Sequence, residues 1–566
     1  MIKLQSFPRA DVWAVATNAL AALAAATLVA SPRTATGYAL AAATVLVNLR
    51  RHRGDGLGRC VTTHPALAAG LLAAYLIRQP DGAPALLAAG AILLLLQMGE
   101  GVFAKLATPL LTVTNAAGWR RLATRGVHPT AILTVNVTVL GVFGVCAAAG
   151  APPAVALVAV SGGALIQAAL LLAALRSTTS PSGPVELSHE LARFAPEFLV
   201  HFSAPESMSY QLTMWLPALE RVGRPFAVVV REPWHVAEVA AVTRVPVLHC
   251  PTIRALDQII TPSLRAVFYV NNSMKNLHML RFTGALHIQL MHGDSDKAAS
   301  HNPVTALYDR VYVAGQAGID RYRAHGVEIP ADRFRVVGRP QLADITVGPR
   351  RAHPPTVLYA PTWTGFYEDT NHCSLRVADR ILVSLLARGA TVILRAHPST
   401  RRNHRAAGQL AAAERLLARD RASSGRAHVW GEASSREMSL VDCINEADAL
   451  VADVSSVVTD FLYSGRPFAV TDMAGAGAAF AATFPLSRIG YVIDPQLTSL
   501  EHVLDLMLGP DPLADQRLQA RAYYLGDFPP AMYERAFTDT VRADVATGKR
   551  IPAMARLTTP GDTHMV

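Results

Sequence analysis

The stretch ALVADVSSVVTDFLYSGRPFAVTD, from Ala449 to Asp472, decides the fold. Ala449 to Ala452 is a short apolar run of buried-strand type. Ser455 and Ser456 stand where a helix N-cap falls, and Gly465 closes a helix of roughly two turns. Pro467 to Val470 then reads as a second strand. Strand, tight polar loop, short helix and strand is the repeating unit of a doubly wound sheet. A loop of this kind offers backbone N–H groups and hydroxyls at the positive end of a helix, which suits a phosphate or pyrophosphate. A serine that merely caps its helix fits the same residues, and the two serines alone do not separate the readings.

Working outward, the same alternation continues on both sides. Val357 to Tyr359, Thr391 to Leu394 and His428 to Trp430 read as strands, with helical patterns over Leu375 to Arg388, His404 to Asp420 and Leu440 to Ala447. Before the Pro, Gly and Arg-rich stretch Gly348 to Pro355, a first series of strands runs through Phe198 to Phe202, Phe226 to Val230, Val245 to His249 and Ala266 to Val270. Leu286 to Met291, Arg310 to Ala314 and Phe334 to Val337 complete it. Alternating strands and helices predict parallel, doubly wound sheets, and two of them in tandem leave a cleft where strand C-termini gather. The spacing predicts an α/β domain over 185–347 and a second over 348–548, with an uninformative tail over 549–566.

Upstream the composition changes. The chain has 566 residues, 51% of them hydrophobic, and the apolar excess lies before residue 176. Asp11 to Ala30, Thr36 to Val47, Pro65 to Ile77, Ala83 to Met98, Ala131 to Gly150 and Pro153 to Leu175 are nearly free of charge. They predict an all-α transmembrane region over 1–176 of about six helices, the shorter ones needing their flanks or a tilted neighbour. Ser177 to Pro184, STTSPSGP, reads as a linker. Lys3 and Arg9 precede the first segment, Arg50, Arg51, Arg53 and Arg59 lie between the second and third, and Lys105, Arg120, Arg121 and Arg125 lie between the fourth and fifth, while the intervening turns hold almost no positive charge. With basic loops kept inside, both ends of the region, and the α/β part after it, face the cytoplasm of a multi-pass membrane protein.

The net charge of +10 goes with this orientation and with Arg-rich helix faces. A sharper reading gives Arg401, Arg402 and Arg405 an anionic lipid or polyanionic acceptor. No helix-turn-helix or aromatic-basic pattern accompanies the charge, which argues against nucleic acid. The five cysteines, Cys60, Cys146, Cys250, Cys373 and Cys443, are scattered without CxxC spacing, so neither a disulfide framework nor a zinc site is expected.

Polar motifs follow several of the strands: MHGDSDK (Met291 to Lys297), GRPQ (Gly338 to Gln341), YAPTW (Tyr359 to Trp363), LRAHP (Leu394 to Pro398) and ADVSSVVTD (Ala452 to Asp460). In this order they resemble the CDP-glycerol glycerophosphotransferase family, the teichoic-acid primases and polymerases, whose members carry HGTPxK, GxPRxD, APTW, RxHP and DxSSxxxD. The resemblance implies a GT-B type fold, two Rossmann-like domains facing a cleft, the first for the acceptor and the second for the CDP donor. It implies His292 and His397 as the catalytic histidines, and a CDP-alditol bound by Gly293, Asp294, Ser295, Asp296, Gln341, Pro361, Thr362, Arg395, Ser455, Ser456 and Asp460. It implies no cofactor and no metal, and as partners a CDP-alditol and a polyprenyl-linked or polymeric acceptor at the membrane. Two departures stand out. HGTP is HGDS here, with Asp294 and Ser295, and the arginine of GxPR is Gln341, changes that make a phosphate cleft less positive.

The chemistry of the residues agrees. Transfer of an alditol phosphate needs an acceptor hydroxyl to attack the β-phosphorus while CMP leaves. Histidine titrates near neutrality and can take that proton, a role assigned to His292. Charge on the phosphoryl oxygens needs donors, which His397, Arg395, Ser455, Ser456 and the helix start can supply. Asp460 fits either a sugar hydroxyl or a first-turn helix acid, and Trp363 reads as core. Two other readings stay open: a GT-B enzyme using a UDP-sugar, either a glycosyltransferase or an epimerase, and a membrane scaffold with a degenerate cleft.

Overall fold

The structure, a computed structural model, describes residues 9–51, 63–107, 111–116, 119, 129–179, 182–295, 297–350, 353–365, 371–529 and 532–548. The chain divides into two compact units, one of Met1–Thr112 and Arg120–Leu187, the other of Val113–Trp119 and Ser188–Val566.

The first unit is helical: α1 (Arg9–Ala30), α2 (Ala35–Arg51), α3 (Thr63–Arg78), α4 (Ala83–Ala107), α5 (Pro129–Ala149) and α6 (Pro153–Thr179). Its interior holds Ala21, Ala24, Leu67, Leu71, Tyr75, Leu86 and Phe143. Small residues let the helices approach closely: a Cβ added at Gly70 would lie 2.6 Å from the Ala25 Cα. Pro80–Phe103, Thr130–Ala149 and Pro153–Ala173 are long and apolar enough to cross a membrane by length and composition.

The second unit is α/β. An eight-stranded sheet has the order β1-β4-β3-β2-β5-β6-β7-β8, made of β1 (Thr112–Thr114), β2 (Phe198–Phe202), β3 (Phe226–Val230), β4 (Val247–His249), β5 (Ala266–Tyr269), β6 (Leu286–Gln289), β7 (Arg310–Val313) and β8 (Phe334–Val336). A five-stranded sheet has the order β10-β9-β11-β12-β13, made of β9 (Thr356–Ala360), β10 (Thr391–Leu394), β11 (Ala449–Asp453), β12 (Phe468–Thr471) and β13 (Tyr491–Ile493). In the second sheet every pair is parallel. Its side chains alternate as the pleat requires: Leu358, Leu450 and Ala452 pack with Val458 and Phe461 on one face, while Val357, Tyr359 and Val451 pack with Ile381, Leu385 and Leu410 on the other.

Four details differ from the sequence reading. His428 to Trp430 contributes only an isolated bridge, Ile393 to Val429, because the strand before it already ends at Leu394. The expected linker turns helical at Ser182, in a helix Ser182–Phe194 that tolerates Pro184 in its first turn and buries Leu191. Residues 113–119, expected with the membrane region, belong to the α/β unit: Asn115, at φ 57°, donates to the carbonyls of Ala240 (2.8 Å) and Thr243 (2.7 Å). The helix Tyr533–Thr547, expected with the second sheet, buries Phe537, Val541 and Val545 in the core of the first, where their i, i+4, i+8 stripe meets Trp215 and Tyr312.

Candidate active site

Strand order brings the motifs together. In register Leu394 lies beside Tyr359, and Ala360 beside Ala452, so the loops leaving β10, β9 and β11 emerge side by side at one end of the sheet. Asp453, fully buried at the end of β11, ties them. Its carboxylate accepts the N–H groups of Thr362 (2.7 Å) and Ser374 (3.0 Å) and the Thr471 hydroxyl (2.6 Å). Burial nevertheless holds its pKa above the usual carboxylate value.

His397 is fixed on both sides of its ring. Its backbone N–H donates to the Pro361 carbonyl (3.1 Å), and its ring Nδ1 accepts the Ser399 N–H (3.1 Å), so in the neutral ring the proton sits on Nε2. Trp363 stacks against it, ring centroids 5.9 Å apart at 21°. That makes Trp363 a wall beside the histidine and not the core residue its hydrophobicity suggests. Burial, with Lys297, His292 and Arg402 nearby, pulls the His397 pKa down to about 3.

His292 comes from the other sheet, in the loop after β6. The loop is bent by Met291 at φ 55°, whose N–H is held by the Gln289 side chain (3.1 Å) and whose carbonyl is held by the Trp215 indole (2.7 Å). His292 Nδ1 lies 3.2 Å from the Val270 carbonyl, which can only accept, so Nδ1 carries the proton and Nε2 keeps its lone pair. Burial, with Arg339 nearby, lowers its pKa to about 4. The two histidines therefore present opposite ring functions, an acceptor nitrogen on His292 and a donor N–H on His397.

Tyr210 stands between them. Its ring makes edge contacts with His292 (6.3 Å between centroids) and His397 (5.8 Å), and its hydroxyl lies 3.4 Å from His397 Nε2. Lys297 bridges the sheets too, donating to the Thr362 hydroxyl (3.2 Å), with burial lowering its pKa. Sequence reasoning passed over both residues. Lys297 ended a quoted motif, whereas Tyr210 lies in a four-residue helix with no periodic signal.

The remaining expected residues divide by partner. Gly293 lies against the second sheet's helix Ser456–Leu462, where a Cβ would come within 3.0 Å of the Ser456 side chain. Pro361, Thr362, Ser455 and Ser456 surround the same loops. Ser455 occupies the N-cap position but makes no capping bond, and its hydroxyl is buried without a hydrogen-bond partner. Ser295 faces the Ser300 hydroxyl (3.2 Å). Gln341 has both amide atoms buried and unpartnered. Asp296 lies outside the described residues.

Three charged residues are engaged with protein groups. Asp294 pairs with Arg321, so the carboxylate that replaces the family's threonine brings its own guanidinium. Asp460 is 2% exposed and pairs with Arg339 at 2.6 Å, an ion pair from one sheet's loops to the other's helix. Arg395 donates to the Ser434 and Met438 carbonyls, the latter at 2.9 Å. Farther out, Arg401 pairs with Glu414 (3.1 Å), and Arg402 and Arg405 are exposed.

Two parallel sheets whose C-terminal loops hold opposed histidines, a buried lysine and an unpartnered serine define a candidate transferase site for a phosphate-bearing substrate. Residues 346–473 match the family described as CDP-Glycerol:Poly(glycerophosphate) glycerophosphotransferase, so the resemblance carried by the motifs holds, and the chain is like an enzyme of that kind over this segment. No curated protein sequence matches the chain. Among solved structures, similarity is found to the wall teichoic acid polymerase TagF (12% identity, 64% of this chain and 93% of that one, TM-score 0.39). It is also found to a putative UDP-N-acetylglucosamine 2-epimerase from Listeria monocytogenes (11%, 63% and 98%, TM-score 0.42) and to Anabaena Alr3699/HepE in complex with UDP and glucose (10%, 62% and 100%, TM-score 0.39).

Proposed function

We propose that this chain is a membrane-bound transferase that moves an alditol phosphate from a CDP-alditol to a hydroxyl of a membrane-linked acceptor, releasing CMP, in the synthesis of a teichoic-acid-like polymer. The observation that carries this is the opposed pair of histidine ring functions beside loops that match the glycerophosphotransferase family. The acceptor hydroxyl attacks the β-phosphorus. A new P–O bond forms, the bond from that phosphorus to the bridging oxygen breaks, and CMP departs with the electron pair. The hydroxyl proton passes to His292 Nε2. The His397 Nε2–H and the Lys297 ammonium face the charge that gathers on the phosphoryl and leaving oxygens, and their burial strengthens both interactions.

In this reading the sheets form two Rossmann-like domains of GT-B type, 185–347 for the acceptor and 348–548 for the donor, with the last helix returning to the first. Gly293, Asp294, Ser295, Gln341, Pro361, Thr362, Arg395, Ser455, Ser456 and Asp460 line or support the donor site. The helices α1 to α6 hold the protein in the membrane with the α/β unit cytoplasmic. Large apolar side chains on their outer surface, among them Leu95, Val145, Val158 and Leu165, support a lipid environment. The test offers purified protein a panel of CDP-alditols and UDP-sugars. CMP release from one of the former is the expected result; UDP release, or no turnover with any donor, rejects the assignment.

A further inference from the structure

The interior of the helical unit is not uniformly apolar. At one level of the bundle His64 of α3, Glu100 and Gln97 of α4, Asn48 of α2 and Asn136 of α5 form a connected polar cluster. His64 Nδ1 lies 3.1 Å from Glu100 Oε2. A carboxylate only accepts, so Nδ1 carries the proton, and His64 Nε2 accepts from the Asn48 amide nitrogen at 3.2 Å. The Asn136 amide nitrogen donates to the Leu96 carbonyl (3.2 Å) and to Glu100 (3.3 Å), and that of Gln97 donates to the Asn136 carbonyl (3.1 Å).

For Gln97 and Asn136 these bonds fix which way the amide points, because each nitrogen faces an oxygen that only accepts. What is left over is mostly acceptor oxygen. Asn48 Oδ1, Gln97 Oε1 and Asn136 Oδ1 are buried with no hydrogen-bond partner, on side chains 0%, 2% and 0% exposed. Gln167 of α6 is 1% exposed and unpartnered at both amide atoms. The register of α5 and α6 sets it level with Asn136: a Cβ at Gly163 would touch Val139, and Leu171 packs on Ile132.

Interhelical hydrogen bonding alone leaves this surplus of acceptors unexplained, since a stranded carbonyl in an apolar interior carries its desolvation cost with no bond to offset it. Carbonyl and carboxylate oxygens are hard ligands, suited to alkali and alkaline-earth ions over thiophilic metals. Glu100 is the one carboxylate of the cluster. One positive charge balances that site in a low dielectric, whereas two leave an uncompensated charge. We propose that this cluster binds one alkali cation, Na⁺ or K⁺, through Glu100 and the amide oxygens of Asn48, Gln97, Asn136 and Gln167. The inference does not depend on the transferase reading, and its test measures no turnover.

The test uses the full-length protein in detergent micelles, titrated with NaCl or KCl while choline chloride holds the ionic strength constant. The melting temperature is expected to rise with Na⁺ or K⁺ and, above the dissociation constant, to keep rising with the logarithm of concentration as for one site. Glu100→Gln is expected to abolish the rise. Gln97→Leu, which leaves the His64 to Glu100 bond in place, is expected to raise the half-saturating concentration about tenfold, the equivalent of one lost ligand. Should Glu100→Gln fail to fold, Gln97→Leu together with equilibrium binding of radiolabelled sodium or rubidium decides: one ion per chain, weakened by Gln97→Leu, supports the site. Equal stabilisation by choline, an equal or larger effect of Mg²⁺, an unchanged response in Gln97→Leu, or no bound ion overturns it.

Discussion

His292 and His397 are both kept uncharged by burial, and this has a pH consequence. With folded pKa values of about 4 and about 3 against 6.5 for the free side chain, the unfolded chain binds protons between pH 6.5 and 4 that the folded protein does not. Stability contributed by these groups is therefore complete above pH 6.5 and falls as the pH drops toward 4. The base limb of kcat/KM is expected near pH 4, and a limb near 6.5 in free enzyme would contradict the burial of His292. Donor binding adds negative charge beside the ring, so the limb in kcat is expected at higher pH than in kcat/KM. His292→Ala and His397→Ala are each expected to lower turnover by roughly 10² or more with little change in the thermal melt. Wild-type rates in both would remove them from the chemistry. Ser455 separates cap from ligand. Its hydroxyl makes no capping bond, so Ser455→Ala is expected to cost less than the ~1 kcal/mol of a lost cap. The Ser455→Ala/Ser456→Ala variant is expected to bind a CDP-alditol more weakly by roughly 1.5–3 kcal/mol per lost charged hydrogen bond. Calorimetry beside a melt checks both.

At the scale of elements, the two sheets meet through the loop after β6 and the helix Ser456–Leu462. Gly293→Ala places a methyl against Ser456 at 3.0 Å, so it is expected to push the His292 loop away and lower kcat without a matching fall in melting temperature. The strands were largely legible: β2, β3 and β10 have the ends their apolar runs suggest, because a strand buried on both faces reads as a continuous apolar segment. Missed were β1 and β13, three residues each, both at sheet edges. Site residues that follow strands were legible for the same reason the strands were. Tyr210 was not, since its partner His397 is 187 positions away and only tertiary packing joins them. Nor did sequence show that Asp294 and Asp460 each face an arginine, because pairing depends on which loops meet.

For the whole molecule, the Arg339–Asp460 pair fastens one sheet's layer to the other. Asp460→Asn leaves a buried guanidinium uncompensated and is expected to destabilise by about 3–5 kcal/mol, with much of the loss restored in Arg339→Met/Asp460→Leu. Urea melts of both variants measure this, and an additive double variant would refute a buried pair. Reporter fusions after Arg59, Arg125 and Ser180 are expected to report cytoplasm, as the arginine asymmetry requires, and a signal from the opposite side at Ser180 would reject the orientation.

The return of the helix Tyr533–Thr547 to the first sheet also bears on synthesis. Phe537, Val541 and Val545 complete the core around Phe198, Phe226 and Phe268, yet they are among the last residues of the described chain to leave the ribosome. The sheet made first cannot close its core until residues 537–545, far downstream of its own strands, have been made. A nascent chain stalled before Tyr533 exposes Trp215 and Tyr312, a surface for chaperones and proteases that the finished protein does not offer.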